Sequence, residues 1–261
     1  MRKINHEVYD YVTYHKNISV ADLSHSFNIS ERTARRILNQ LETDGLICRY
    51  HGGAHVLKDL ELSDELSKRE KQKNIIKMNI ARVAASYVNT NDVIIMLGGT
   101  TVLAMCEFLI SKRITVITNS LAVAAKLAKF GHIKLILLGG ALNMPEMETQ
   151  GLFTYSLPAA LHVNSMFVGA SSFSIAQGIT TNDQTLVKQY STASRIAEHV
   201  YALFDSSKFI EARYFSAIHP KDITAVITNK IDEKTRRQLR TMDTKVLIAA
   251  GNYEMQSEVI S

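Results

Sequence analysis

A chain of 261 residues has room for one large domain or two of ordinary size, and 46% apolar with 21% charged residues is the balance of a soluble globular protein. A formal charge of +5 suits an anionic partner without requiring one; residues 1–60 hold eight Lys/Arg against seven Asp/Glu, so a nucleic-acid reading rests on where the arginines sit, not on bulk charge. Cys48 and Cys106 stand far apart with no CxxC spacing, which argues against a disulfide framework or a zinc site and for a reducing cytoplasm.

The N-terminus turns charged and amphipathic at once and offers no apolar signal region, and no run approaches the ~18 apolar residues of a membrane span. The chain reads as cytoplasmic. Ile4, Val8, Tyr11 and Val12 mark one face of a first helix ending near His15-Lys16-Asn17. Ser19-Val20-Ala21-Asp22 is a capped start, with Val20, Leu23 and Phe27 as the buried stripe of a second helix. Asn28-Ile29-Ser30 allows only a tight turn, and Ser30 caps a third helix.

In that helix Ala34, Ile37, Leu38 and Leu41 fall at i, i+3, i+4 and i+7, so Arg32, Arg36 and Asn39 point nearly opposite, with Arg35 on the flank. Arginines alone are also what a solvated surface helix carries. The residues beyond the helix separate the two readings: after Asp44-Gly45, β-prone pieces flank Gly52-Gly53, with Arg49 and His51 near the tip. A hairpin that merely caps a small core explains the glycines but not the adjoining basic groups. Helix, helix, turn, helix and wing in under sixty residues predict a winged helix-turn-helix, with Ser30, Arg32, Thr33, Arg35, Arg36, Asn39, Arg49, His51 and Gly52 as DNA-binding candidates.

From Lys58 to Lys77 the chain is rich in mixed charge and free of glycine and proline, which predicts a helical connection with a solvated face. Ile76, Ile80, Val83, Ala84 and Tyr87 then mark a packed helix. Val93–Leu97 is a continuous apolar run of the kind buried on both faces of a parallel sheet, followed by Gly98-Gly99-Thr100-Thr101 and a helix. Ile114–Ile117 with Thr118-Asn119-Ser120 repeats the unit, and Ile133–Leu138 ending at Gly139-Gly140 reads as a third instance. Later runs at 166–168, 200–204, 225–227 and 246–248 extend the sheet. The predicted fold is therefore a parallel, doubly wound α/β domain behind a small winged helix: residues 1–57 for DNA, 58–75 a charged helical linker, 76–261 the α/β domain.

Ligands of such sheets bind at the carboxyl ends of the strands. There the glycine and hydroxyl turns offer backbone N–H groups, and Lys188 and Lys208 supply cations, which together suit a phosphorylated small molecule. Any one of these turns alone is ordinary loop chemistry. Neither GxGxxG nor GxxxxGK[ST] occurs, so a nucleotide is not indicated, and no cofactor or metal is expected.

The sequence resembles the DeoR family of bacterial transcription regulators, through Val20-Ala21-Asp22-Leu23, Ser30–Arg36, Leu41-Glu42 and Arg49–Ala54, and more loosely through Gly99-Thr100-Thr101, Thr118-Asn119-Ser120, Leu138-Gly139-Gly140, Gly151, Gly178-Ile179-Thr180, Lys188 and Asp205–Phe209. The resemblance implies a sugar-phosphate-isomerase-like effector domain that responds to a phosphorylated sugar. The effector-binding candidates are Gly98, Gly99, Thr100, Thr101, Asn119, Ser120, Gly139, Gly140, Gly151, Lys188, Asp205 and Lys208. The chain departs from the family at Ile37, Leu97, Asn164 and Asn229, where an Asp is usual. With acids absent at Leu97 and Asn164 and only Asp183 and Asp205 remaining, no acid–base constellation for an isomerase is apparent. The expected protein is a homo-oligomeric repressor of a carbohydrate operon, binding double-stranded operator DNA and a sugar phosphate and no membrane; a sugar-phosphate isomerase with an accessory DNA-binding domain is the alternative.

Overall fold

A computed structural model of the chain describes residues 3–44, 46–50, 52–56, 62–72, 74–151 and 161–249; Gly45, His51, Lys73 and the expected linker positions 57–61 lie outside the described residues. The chain divides into two compact units, Met1–Glu61 with Ala128–Gly131 and Leu62–Leu127 with His132–Ser261.

The first unit runs α1 (Lys3–His15), β1 (Asn17–Ser19), α2 (Val20–Ser26), α3 (Glu31–Thr43), β2 (Ile47–Tyr50) and β3 (Gly53–Val56). Ser19 Oγ accepts from the Asp22 amide at 3.0 Å and donates to the Asp22 carboxylate at 2.6 Å, which closes the first turn of α2. Ser30 Oγ accepts from the Thr33 amide at 3.2 Å and does the same for α3. Between them Asn28 takes φ 50°, a left-handed turn that asparagine tolerates. Val8, Val12, Leu23, Ala34, Leu38 and Leu41 are fully buried, and Ile37 joins them at 3% exposure. Burying such a set from three short helices is what holds them, since none this short is stable alone.

One strand of this unit escapes the sequence pattern. β1 reads in sequence only as the end of one helix and the cap of the next, yet it pairs antiparallel with β3, so the wing is a three-stranded sheet ordered β1-β3-β2. Gly53 is required there because a Cβ would run into the Ile18 carbonyl and the Tyr50 hydroxyl. Gly52, at φ 96°, makes the turn.

The second unit begins with α4 (Asp64–Lys71) and α5 (Asn74–Ser86), followed by β4 (Val93–Leu97), α6 (Thr100–Leu109), β5 (Thr115–Thr118), α7 (Leu121–Leu127) and β6 (Lys134–Leu137). Then come β7 (Ala141–Asn143), β8 (Glu148–Gln150), β9 (Val163–Gly169), β10 (Ser172–Ser174), β11 (Gly178–Thr181) and α8 (Gln184–Ile196). β12 (Ala197–Leu203), β13 (Phe215–Ile218), β14 (Ala225–Thr228), α9 (Glu233–Arg240) and β15 (Lys245–Ile248) complete it. Seven strands form one parallel sheet in the order β15-β14-β12-β9-β4-β5-β6. The chain winds outward from β4 to β6, then returns to the other side of β4 at β9 and winds the opposite way. That reversal leaves a crevice between the β4 and β9 ends.

Alternate residues of each strand face opposite layers. Ile95, Leu97, Met166, Val168, Val200 and Ala202 cluster with Tyr190 and Ala193 of α8. On the other face Phe167 and Tyr201 stack at 5.2 Å, with Tyr87, just beyond α5, against Tyr201 at 5.1 Å.

Two expectations need correction. Gly139-Gly140 does not lead into a helix: β6 is followed by the β7–β8 hairpin, so the third strand–turn–helix unit is absent. The charged face at 64–71 is also not merely solvated. Ser63 Oγ donates to the Pro145 carbonyl at 2.5 Å, Arg69 pairs with Glu146 at 2.5 Å, and Leu66 is buried.

Gln189 of α8 is 2% exposed and neither polar atom of its side-chain amide has a hydrogen-bond partner among the described residues. Desolvating an unpaired amide costs about 1–3 kcal/mol. Gln189→Met keeps the length and removes the polar atoms. It should raise the unfolding midpoint by several degrees in a thermal melt; a lowered midpoint would show that the amide is satisfied.

Candidate functional site

The first candidate surface is the outer face of α3. Arg32, Arg35, Arg36 and Asn39 are exposed, Thr33 is half-buried, and Ser30 and Gly52 are exposed at the helix start and wing turn. Arg35 is held back along the helix by Glu31 at 2.6 Å, an exposed pair of small net value. Arg32 and Arg36 have no ion pair among the described residues, and one turn apart they project side by side. Arg49 Nη1 donates to the Asn39 side-chain carbonyl, and the Arg49 amide donates to Glu42 Oε1 at 2.9 Å. Two candidate readers, Arg49 and Asn39, are thus tied to each other, fixing β2 against the recognition helix. A rigid helix offering two free guanidinium groups and an amide can read base edges in a major groove while the wing meets phosphate.

The second site is a cavity of about 660 Å³ at the β4/β9 switch, roofed by α4, the β7–β8 hairpin and the segment after β12. Gly98, Gly99, Thr100, Thr101, Asp205 and Lys208 line it. So do groups that the sequence did not single out for a ligand: Glu148, Glu146, Arg69, Lys77 and Arg213. Gly139, Gly140, Gly151 and the exposed Lys188 lie outside the lining, and so do Asn119 and Ser120. Ser120 serves α7, its Oγ accepting from the Val123 amide at 3.3 Å. Asp205 is 5% exposed, and its Oδ1 accepts from the Ser207 amide at 3.1 Å and hydroxyl at 2.6 Å. It shapes the turn that presents Lys208.

Asn119 acts one step behind the cavity. Its Oδ1 accepts from the Gly98 amide at 3.3 Å, and its Nδ2 donates to Glu148 Oε2 and to the Thr149 carbonyl, both at 3.2 Å. Glu148 is 5% exposed, and the nearby Gly99 backbone N–H favours its charged form. Its carboxyl fills the space beside Gly98, where any Cβ would overlap it. Burial pushes the Glu148 carboxyl up to about 7, the charge of Glu146 adds to this, and the Asn119, Arg69 and Gly99 contacts oppose it. Sequence reading missed Glu148 because β8 is three residues long and not adjacent in sequence to any strand of the main sheet.

Residues 5–59 match the DeoR-like helix-turn-helix domain and residues 72–230 the DeoR C terminal sensor domain. This chain belongs to the DeoR family. It is 32% identical over 232 residues to an uncharacterized HTH-type transcriptional regulator of Bacillus subtilis (strain 168), FruR, covering 87% of this chain and 90% of that one. It is 27% identical over 239 residues to the lactose phosphotransferase system repressor of Staphylococcus epidermidis, covering 90% and 94%. Among solved structures, ribose 5 phosphate isomerase A from Neisseria gonorrhoeae aligns at 17% identity over 56% of this chain and 57% of that chain, with a TM-score of 0.40.

The departures from the usual DeoR residues acquire physical meaning. Ile37 is core, so its side chain replaces a polar group with packing. Asn164 stands at the start of β9, where its Oδ1 accepts from the Val93 amide at 2.9 Å. That is the end of the sheet away from the cavity, so its neutrality does not bear on chemistry there. Asn229 accepts from the Ser206 amide at 2.8 Å and supports the Asp205 turn as a carboxylate would. Leu97 alone is an apolar residue adjoining the site, fully buried at the end of β4.

The raised Glu148 carboxyl has a consequence for stability. The folded state binds a proton between pH ~4.5 and ~7 that the unfolded state has released, so stability falls as pH rises through that window. Glu148→Gln removes the ionisation and should be more stable than the parent above pH 7, by about 1–3 kcal/mol, with the gap closing toward pH 4.5. Denaturant melts at pH 5 and pH 8 measure this; a gap independent of pH would mean that the carboxyl is not protonated in the fold.

Proposed function

We propose that this DeoR-family chain is a DNA-binding repressor of a carbohydrate-utilisation operon whose operator affinity is set by a phosphorylated sugar. The observation that carries the reading is the coexistence in one chain of a capped recognition helix with free Arg32 and Arg36 and, in a separate unit, a polar cavity at the switch point of a parallel sheet. The relatives named as regulators and as a sugar-system repressor support it. We assign residues 1–57 to operator binding, 58–75 to a charged helical connection and 76–261 to the effector domain. α4, inside that connection, takes part in the cavity through Arg69. One short helix reads few base pairs, so two copies at paired half-sites are expected, in a cytoplasmic homo-oligomer. No helix among the described residues is long and apolar enough to cross a membrane.

The isomerase alternative gains one observation. Glu148, buried in the cavity and pushed up to about 7, has the character of a general base. Against it, no isomerisation needs the helix-turn-helix. Turnover of a pentose phosphate by the purified chain, abolished in Glu148→Gln, would overturn the regulator-only reading.

Two experiments test the main reading. A duplex selected from a random pool should bind Arg36→Ala more weakly by about 1–3 kcal/mol if Arg36 reads a guanine, with specificity relaxed at one position. Equal affinity in fluorescence anisotropy would remove Arg36 from the interface. A panel of pentose and hexose phosphates should include one that stabilises the protein by about 2.7 kcal/mol at a hundredfold excess over Kd and releases the duplex. A panel that moves neither the melting temperature nor the anisotropy would sink the sensor assignment.

A further inference from the structure

The charges around the cavity are not spread evenly. At the β4 side the titratable groups that line the cavity with Glu148 are Glu65 and Arg69 from α4, Lys77 from α5, Glu146 from the hairpin, and Asp183 and Tyr190 from α8 and its cap. The two cations among these are already engaged, Arg69 with the Glu146 carboxylate and Lys77 with the Arg69 carbonyl. The turn at Gly98-Gly99 looks suited to an anion, at the start of a ten-residue helix with no side-chain cap. Yet the Gly98 N–H is taken by Asn119, and the chain's own Glu148 carboxyl lies against the Gly98 backbone, where the Gly99 N–H favours its charged form. A phosphate dianion brought there would meet a buried like charge.

Beyond β12 the situation is reversed. Lys208 is half-buried, Arg213 is exposed, and neither is in an ion pair among the described residues. β12 stands two places from β4 and three from β5 in the sheet, so this end lies roughly 10–14 Å from Glu148 at about 4.8 Å per strand.

We propose that the cavity is polarised: Lys208 and Arg213 hold the anionic group of the ligand, and Glu148 accepts hydrogen bonds from donor groups, hydroxyl or ammonium, at the other end. Glu148 is then a specificity-determining residue. It selects a phosphate ester with donors remote from the phosphate and shuts the Gly98-Gly99 turn to phosphate itself. The inference rests on the effector reading above and adds the direction in which the ligand lies. Because a donor is accepted best by the ionised carboxylate, ligand binding must strengthen as pH rises through the Glu148 titration, on top of the ligand phosphate's own second ionisation near pH 6.

The test uses the full chain, inorganic phosphate as a probe of the anion end, and the glucose 6-phosphate and glucosamine 6-phosphate pair with ribose 5-phosphate as probes of both ends. Calorimetric titrations should give phosphate affinities for wild type and Glu148→Gln within twofold, and a loss of at least tenfold in a Lys208→Ala, Arg213→Ala double variant. Glu148→Gln should weaken an ester that wild type binds by at least tenfold and flatten its affinity between pH 6.5 and 8. Selection of the amino over the hydroxy sugar, lost in Glu148→Gln, identifies an ammonium donor; equal binding of the two identifies hydroxyls. Tenfold tighter phosphate binding by Glu148→Gln would overturn the proposal, because the carboxylate would then be sitting in the phosphate's place. So would a double variant that binds phosphate normally, a wild type that fails to bind it at 50 mM, or an ester that Glu148→Gln holds unchanged. Binding of phosphate but of none of the esters overturns the donor end and the effector reading together, whereas ester binding indifferent to Glu148 overturns this proposal alone.

Discussion

The carboxyl of Glu148 occupies the space that any side chain at position 98 would need. Much of the sensor unit's local structure depends on that one accommodation. Gly98 must stay bare, its amide is turned toward Asn119, and Asn119 in turn bridges the ends of β4, β5 and β8. A hairpin of six strand residues is pinned across the mouth of the sheet by these bonds and by an antiparallel bridge between Ser120 and Glu148, with the Leu121 amide donating to the Met147 carbonyl at 2.8 Å. The carboxyl is kept at an energetic cost, since burial opposes its ionisation. Sites that bind polar ligands commonly carry such a burden, because a group fully satisfied inside the protein has nothing left to offer a ligand.

The DNA-reading unit is organised by a different constraint. Three short helices cannot each be stable, so caps and a shared core do the holding. Ser19 and Ser30 close the entries, and Ile37 lies with Ala34, Leu38 and Leu41 inside that core. The outward face is left free of structural duty at Arg32 and Arg36. Asn39 and Arg49 are not free in this sense. Their mutual hydrogen bond means that base contact by either exchanges one partner for another instead of ordering a loose side chain, which lowers the entropic cost of binding.

Strand positions in the sheet were legible because burial on both faces writes a continuous apolar run, as at Val93–Leu97 and Ala225–Thr228. The helix-turn-helix was legible because its caps and its 3.6-residue stripe agree. What the sequence hid are the strands β1, β7, β8, β10, β11 and β13, three or four residues long and too short to show a period, whose pairing is set by tertiary contact. The cavity at the β4 and β9 ends was half visible for the same reason. Turn residues such as Gly98–Thr101 sit next to their strands and could be placed by topology. Glu148, Arg69 and Arg213 arrive from the hairpin, α4 and the segment before β13, and nothing local marks them. Gly139-Gly140 shows the converse, a glycine pair after a strand that opens a hairpin and not a helix.

Leu97 shows how much depends on which element delivers the acid. An acid at the end of β4 would be fixed to the rigid centre of the sheet. Here that position is apolar, and the carboxyl beside the next residue is delivered by β8. The difference is mechanical as well as chemical. A ligand that binds a carboxylate on a central strand meets a group that has one position. A ligand that binds Glu148 acts on a hairpin whose other acid, Glu146, holds Arg69 of α4, and whose neighbour Pro145 accepts from Ser63 at the cap of that helix. A ligand shifts an equilibrium only as far as its affinities for the two states differ. An acid carried on this hairpin is linked through Glu146 and Pro145 to α4 as well as to the end of β5, so its engagement can bear on both.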